Sequence, residues 1–264
     1  MMLLLTSQPL WMAAILLGLV MLLAMGAPVL IRRRVELARL RTNNEVAGFK
    51  FATVGVLYAV MLAFAVIVVW EKFSDAETAV AQEAGAAATI YRLAHGLGDT
   101  TATATRDRLS DYIRVLINQE WPAMEQGGAS KAATHALDDL YATVLAYAPT
   151  RPGDGALLGE ILRQLDSLTQ ARRVRLVLAS GIVPGVIWLV LFGGAFLTIG
   201  FTLFFGTENL PAQALMTGIL SVLIFSGLLI IIVVDHPFAG VVRVHPEALA
   251  VVLEDFGGAH TQQP

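Results

Sequence analysis

The sequence predicts an all-α integral membrane protein, with four transmembrane helices and a helical bundle inserted between spans two and three. Three observations carry this. Apolar runs at residues 10–31, 51–70, 181–206 and 212–234 each reach the ~20 residues a helix needs to cross a bilayer. None of the four contains Asp, Glu, Lys, Arg or His. Between the two pairs lies a polar insert, residues 71–180, rich in Ala, Asp, Glu and Arg. Hydrophobic residues make up 56% of the chain, beyond ordinary globular usage. A net charge of −3 gives no argument for nucleic acid as a partner, and the lack of cysteine excludes disulfides and thiol chemistry.

Residues 1–9 carry no charged side chain, and Arg32, Arg33 and Arg34 follow the first run. A cleaved signal peptide has the reverse order, so the run reads as a retained helix. An even number of spans puts both termini and the insert on one side. The loop 32–50 carries Arg32, Arg33, Arg34, Arg39, Arg41 and Lys50. The other side carries Lys72, Arg163, Arg172, Arg173, Arg175 and Arg243 near the membrane, so the count alone does not choose an orientation. The density of charge beside the first helix favours this loop inside and the bundle outside. Trp11, Trp70 and Trp188 fall on the bundle side, where indole rings anchor at the headgroup layer.

The domain plan is a first membrane pair over 1–70, the bundle over 71–180, a second pair over 181–234 and a tail over 235–264. Trp70 gives way to Glu71-Lys72-Phe73 without Pro or Gly, so span two is expected to continue as one helix. Phe73, Ala76, Val80, Ala84, Ala87, Ile90, Ala94 and Leu97 recur at steps of three and four as one stripe, with Glu83 and other charges read as mostly off it. Gly96 and Gly98 end that helix. A second helix carries Leu109, Tyr112, Ile113, Leu116 and Ile117 and is expected to stop near Trp121-Pro122. Ser130 caps a third, with Ala133, Leu137, Leu140 and Val144 on one side. A fourth carries Leu158, Ile161, Leu165 and Leu168 and runs through Arg172-Arg173 into span three. The insert thus reads as a four-helix bundle continuous with spans two and three; the same stripes also suit coiled coils between subunits. Gly181 and Pro184 mark a kink or break there, a candidate hinge.

In span two, Gly55, Ala59 and Ala63 are spaced by four; in span three, Gly194, Thr198 and Thr202 are. Small and hydroxylated faces suit close helix packing or a pore lining. Phe201 and Phe205 are candidates for an apolar gate. Asn44 can cap the second span, with Glu45 near its positive end. Asp235 and His236 are expected at the interface after span four, with Pro237 stopping the helix before Phe238. His236 and His245 lack tight metal-ligand spacing. Residues 246–256 read as a short amphipathic helix. Uncharged spans argue against proton-coupled transport. No phosphate loop, dinucleotide fingerprint, zinc-protease motif or nucleophile elbow is present, so no enzyme activity and no cofactor are expected.

The stretch from Asn44-Glu45 through Tyr58 to Trp70-Glu71-Lys72-Phe73, with Glu120-Trp121-Pro122, Thr198 to Gly206 and Asp235-His236-Pro237-Phe238, resembles a bacterial and plant membrane family labelled bestrophin-like domain. The resemblance covers about residues 43–254. It implies a multi-pass protein of the bacterial cytoplasmic membrane that is a homo-oligomer in the lipid bilayer and conducts small ions, since bestrophins are pentameric anion channels of the same two-plus-two layout. It also implies a bundle in the cytosol, opposite to the charge reading. No bestrophin pore-neck or calcium-clasp residue aligns, so none is carried over. The alternative is a non-conducting scaffold or sensor whose bundle binds a partner or ligand.

Overall fold

The structure, a computed structural model, describes residues 10–42 and 44–260. Regular structure among them is helical: α1 (Leu10–Arg34), α2 (Leu37–Arg41), α3 (Asn44–Ala94), α4 (Asp99–Val115), α5 (Trp121–Glu125), α6 (Lys131–Leu145), α7 (Asp154–Ala179), α8 (Gly185–Phe201), α9 (Leu210–Val234) and α10 (Glu247–His260). Four of these, α1, α3, α9 and α8 together with the 3-10 turn Thr202–Phe204 that follows it, are long and apolar enough to cross a membrane, and the chain is an integral membrane protein. The chain divides into two compact units: a membrane unit of Met1–Glu71 with Ile182–Asp235, and a second unit of Lys72–Gly181 with His236–Pro264.

In the membrane unit α9 is the interior helix. Of its apolar window 44% is buried, against 11% for α1 and for α3, because it packs along α1 and also against α8. Asn209 caps α9 by accepting from Ala212 N at 3.1 Å, and Pro211 takes the first turn, where a missing N–H costs nothing. Trp188, expected as a headgroup anchor, is instead buried beside Phe192 at 5.6 Å, whereas Trp11 and Trp70 are exposed.

In the second unit the residues of the first stripe, Phe73 to Leu97, are all buried. So are Leu109, Tyr112, Ile113 and Leu116 of the second helix, Leu137, Leu140 and Val144 of α6, and Ile161, Leu165 and Leu168 of α7. Full burial of such side chains contributes roughly 1.5–3 kcal/mol each, and the bundle core rests on them. Two boundaries differ from the sequence reading. The second helix does not stop at Trp121-Pro122. It passes through a π-helical turn, Leu116–Glu120, and continues as α5 to Glu125. The wider turn places Pro122 in the first turn of α5, where its lost N–H and its ring are tolerated. The fourth helix does not run on into span three: α7 ends at Ala179, Gly181 follows with φ 101°, and Pro184 precedes α8. Proline cannot continue the preceding helix, and glycine alone takes that φ without strain.

The tail helix α10 reaches beyond the expected 246–256. It lies against α4, with Leu249 and Phe256 buried and the Phe256 ring stacked on Tyr91 at 3.8 Å.

Candidate functional site

In the membrane unit, α3 turns one face inward and one outward. Ala47, Tyr58 and Val69 are buried on the inner face. The Tyr58 hydroxyl donates to Leu191 O at 3.1 Å. A Cβ on Gly194 would lie 2.5 Å from the Tyr58 ring, so only glycine lets α8 approach α3 there. Thr198 is also inside, 2% exposed, and its Oγ1 has no hydrogen-bond partner among the described residues. Thr202, half-buried, donates back to Ile199 O at 2.6 Å. The strip of span three is therefore turned into its own chain over Gly194 and Thr198. The strip of span two is not: Ala59 and Ala63 are exposed, and a Cβ on half-exposed Gly55 would meet nothing within 4 Å. Beside them Val56, Val60 and Phe64 are 63%, 47% and 65% exposed, an uncharged face that its own chain leaves uncovered.

Phe201 and Phe205 cluster within the chain. Phe51 of α3 stands 6.1 Å from the Phe201 ring and meets Phe205 edge-on at 5.7 Å. Next to them a cleft of about 400 Å³ is lined by Phe51, Phe205, Thr207, Gln213, Met216 and Leu220, among others. Its rim is tied to the basic loop by three side chains. Asn44 donates to Gly206 O at 2.8 Å and accepts from Gly206 N at 3.0 Å. Arg32 donates to Thr207 O at 2.6 Å. Arg41 pairs with Glu208 at 2.7 Å. Asn44, expected to cap its own helix, thus spends its carboxamide on the chain beyond span three, while Glu45 is exposed.

Asp235, expected at the interface, is buried, 3% exposed. Its Oδ1 accepts from Ile182 N at 3.1 Å and Val183 N at 2.7 Å, which fastens the start of the span-three segment to the end of span four. In the second unit the His236 ring packs on Gly181: a Cβ there would stand 3.0 Å from Nε2. Pro237 O accepts from Val244 N at 2.7 Å, and buried Phe238 meets Trp121 edge-on at 5.9 Å. Among the described residues no cluster of His, Asp and Glu could hold a metal ion.

The second unit holds a charge network that the sequence reading missed. Glu83, Glu120 and Arg175 are fully buried and Arg172 nearly so. Arg175 grips Glu83 through Nε at 2.8 Å and Nη2 at 3.1 Å, and reaches Glu120 at 2.9 Å. Arg172 holds Glu120 through Nε at 3.1 Å and Nη2 at 2.6 Å. Tyr112 donates to Glu83 at 2.8 Å, and the Arg175 guanidinium lies over the Trp121 ring at 4.7 Å. Two carboxylates balance two guanidiniums, so the core carries no net charge there. Burial, and then the Glu83 charge, push the Tyr112 phenol well above its ordinary pKa. Burial opposes the Arg175 charge, yet Glu83 and Glu120 hold its pKa above the ordinary arginine value. At the start of α7, the hydrogen bond from Tyr147 at 2.7 Å, with backbone donors from Arg151 and Thr150 and the Arg151 charge, lowers Asp154 to about 2.

The signal for the network was spacing. Glu83 continues the buried steps Ala76, Val80, Ala87 and Ile90, and Arg172 and Arg175 continue Leu165 and Leu168. By sequence, Glu83 reads as off the apolar stripe, and Arg172 and Arg175 count only as cations near the membrane.

The Bestrophin-like domain family matches residues 8–249. No functionally curated protein matches the sequence. Among solved structures, two variants of a bacterial bestrophin homologue from Klebsiella pneumoniae share the fold. One has a TM-score of 0.69 at 15% identity over 94% of this chain and 99% of that one; the other, 0.68 at 15% over 91% and 98%. A structure of that homologue phased on zinc gives 0.68 at 14% identity, over 93% and 99%. At such identity the likeness is one of fold. With the family match running through all four spans and the bundle, the chain belongs to the Bestrophin-like domain family.

Proposed function

We propose that several copies of this chain assemble around an axis and conduct small ions, anions by the bestrophin resemblance. The observation that carries this is the uncovered, uncharged face of span two. Small residues at Gly55, Ala59 and Ala63 let a neighbouring helix come close, where lipid gives no hydrophobic drive for association. Val56, Val60 and Phe64 then ring the axis as an apolar constriction that gates by dewetting. In this reading Gly194 and Thr198 are packing positions, and Phe201 and Phe205 brace span three on Phe51. Family membership and the shared fold support the channel class.

The test is conductance of the purified protein in planar bilayers. Currents are expected, and Val60→Asp should shift the reversal potential toward cations. A pure preparation silent across pH, calcium and voltage, or a monomer in native mass spectrometry, overturns the reading. The second reading, a silent sensor, draws on the break between α7 and α8: Gly181 and Pro184 form a hinge, with the Asp235 carboxylate as its latch. It predicts a bundle ligand and no current.

A further inference from the structure

We infer that the cleft beside the basic loop is a binding site for one anionic glycerophospholipid, an acyl chain in the cleft and the phosphate on the arginines at its rim. Two independent observations meet there. The cleft of about 400 Å³ presents Phe51, Phe205, Met216 and Leu220, surfaces that take an acyl chain and offer little to a soluble ligand. Its rim residue Thr207 accepts from Arg32, a neutral bond that leaves the guanidinium charge uncompensated.

Charge at this end of the membrane unit is net positive: Arg32, Arg33, Arg34, Arg39, Arg41 and Lys50 stand against Glu36, Glu45 and Glu208. Arg33, Arg34 and Arg39 are exposed, and among the described residues none is paired with a carboxylate; Arg41 alone has one, Glu208. A cationic cluster directly outside a span attracts anionic headgroups within a Debye length. A guanidinium fork matches phosphate oxygens in pairs. The apolar cleft supplies what a bare polybasic loop lacks, a place for the lipid tail next to the charge. Asn44, through its two bonds to Gly206, holds the rim against the start of α3, so cleft and cations are fixed together. The inference does not rest on conduction: a silent protein would carry the same site.

Native mass spectrometry of the detergent-purified full chain, titrated with dioleoyl phosphatidylglycerol or dioleoyl phosphatidylcholine, tests this. The anionic lipid should be retained about five-fold over the zwitterionic one, the factor a single surface cation supplies. Met216→Trp, at an exposed position, should fill the cleft and abolish the preference without altering thermal stability; Arg32→Gln should reduce it. Equal retention of the two lipids overturns the proposal. So does a preference that survives Met216→Trp, which would make it loop charge alone. Displacement of bound lipid by millimolar glycerol phosphate would assign the site to a free anion and overturn it as well.

Discussion

Arg175 holds two buried carboxylates at once, so its loss leaves both without their shared partner. Arg175→Met should destabilise the bundle by about 3–5 kcal/mol, the range for breaking one side of a buried pair. Thermal unfolding in detergent reads this; a loss under about 1 kcal/mol would mean the network is hydrated and weak. Asp154 gives a pH-dependent counterpart. Its folded pKa of about 2 lies below the ordinary 3.8, so its contribution is complete above pH 3.8 and lost as pH falls through about 2. The melting temperature of Asp154→Asn should therefore trail the parent at pH 6 and converge with it toward pH 2. Parallel curves would show that Asp154 is not the group responsible. Tyr112 acts at the other limit. Its raised pKa leaves stability untouched below pH 10 and removes it as pH rises beyond, a loss that Tyr112→Phe should not show.

At the scale of the element, the junction of α7 and α8 concentrates constraint. Gly181 sits at φ 101° against the His236 ring. Gly181→Ala should cost about 1–2 kcal/mol for the left-handed backbone, and more if the ring must move. Asp235→Asn keeps one acceptor for Ile182 N and Val183 N but drops the charge, and is expected to be the milder change. A lower melting temperature for Asn than for Ala would contradict the steric account. These elements also show what sequence could and could not reveal. The long α3 was legible because no Pro or Gly interrupts residues 56–84 and one apolar face persists. The π turn before Pro122 was not, since it depends on how the helix resolves the clash between a proline and the preceding turn.

For the whole molecule, the absence of native cysteine makes assembly directly testable. Ala59→Cys and Ala63→Cys, each the sole thiol, should cross-link copies in liposomes under mild oxidation if the span-two faces meet. Cys at Leu23, exposed on α1, serves as the contrast. Cross-linking at Leu23 and none at Ala59 or Ala63 would place the contact on span one and remove the basis for the proposed axis.

The four spans, their uncharged interiors and the amphipathic bundle helices were determined by the sequence alone, because length, hydropathy and periodicity are properties of each segment by itself. Which charges are buried, and with whom, was decided by tertiary structure. Glu83, Glu120, Arg172 and Arg175 become core residues only when three helical segments distant in the chain bring opposite charges within hydrogen-bond reach. The same holds for the two small-residue strips. Their spacing is alike in sequence, yet Gly194 and Thr198 are turned into their own chain and Ala59 and Ala63 out of it. Spacing defines a face, but only the packed neighbours determine what that face meets.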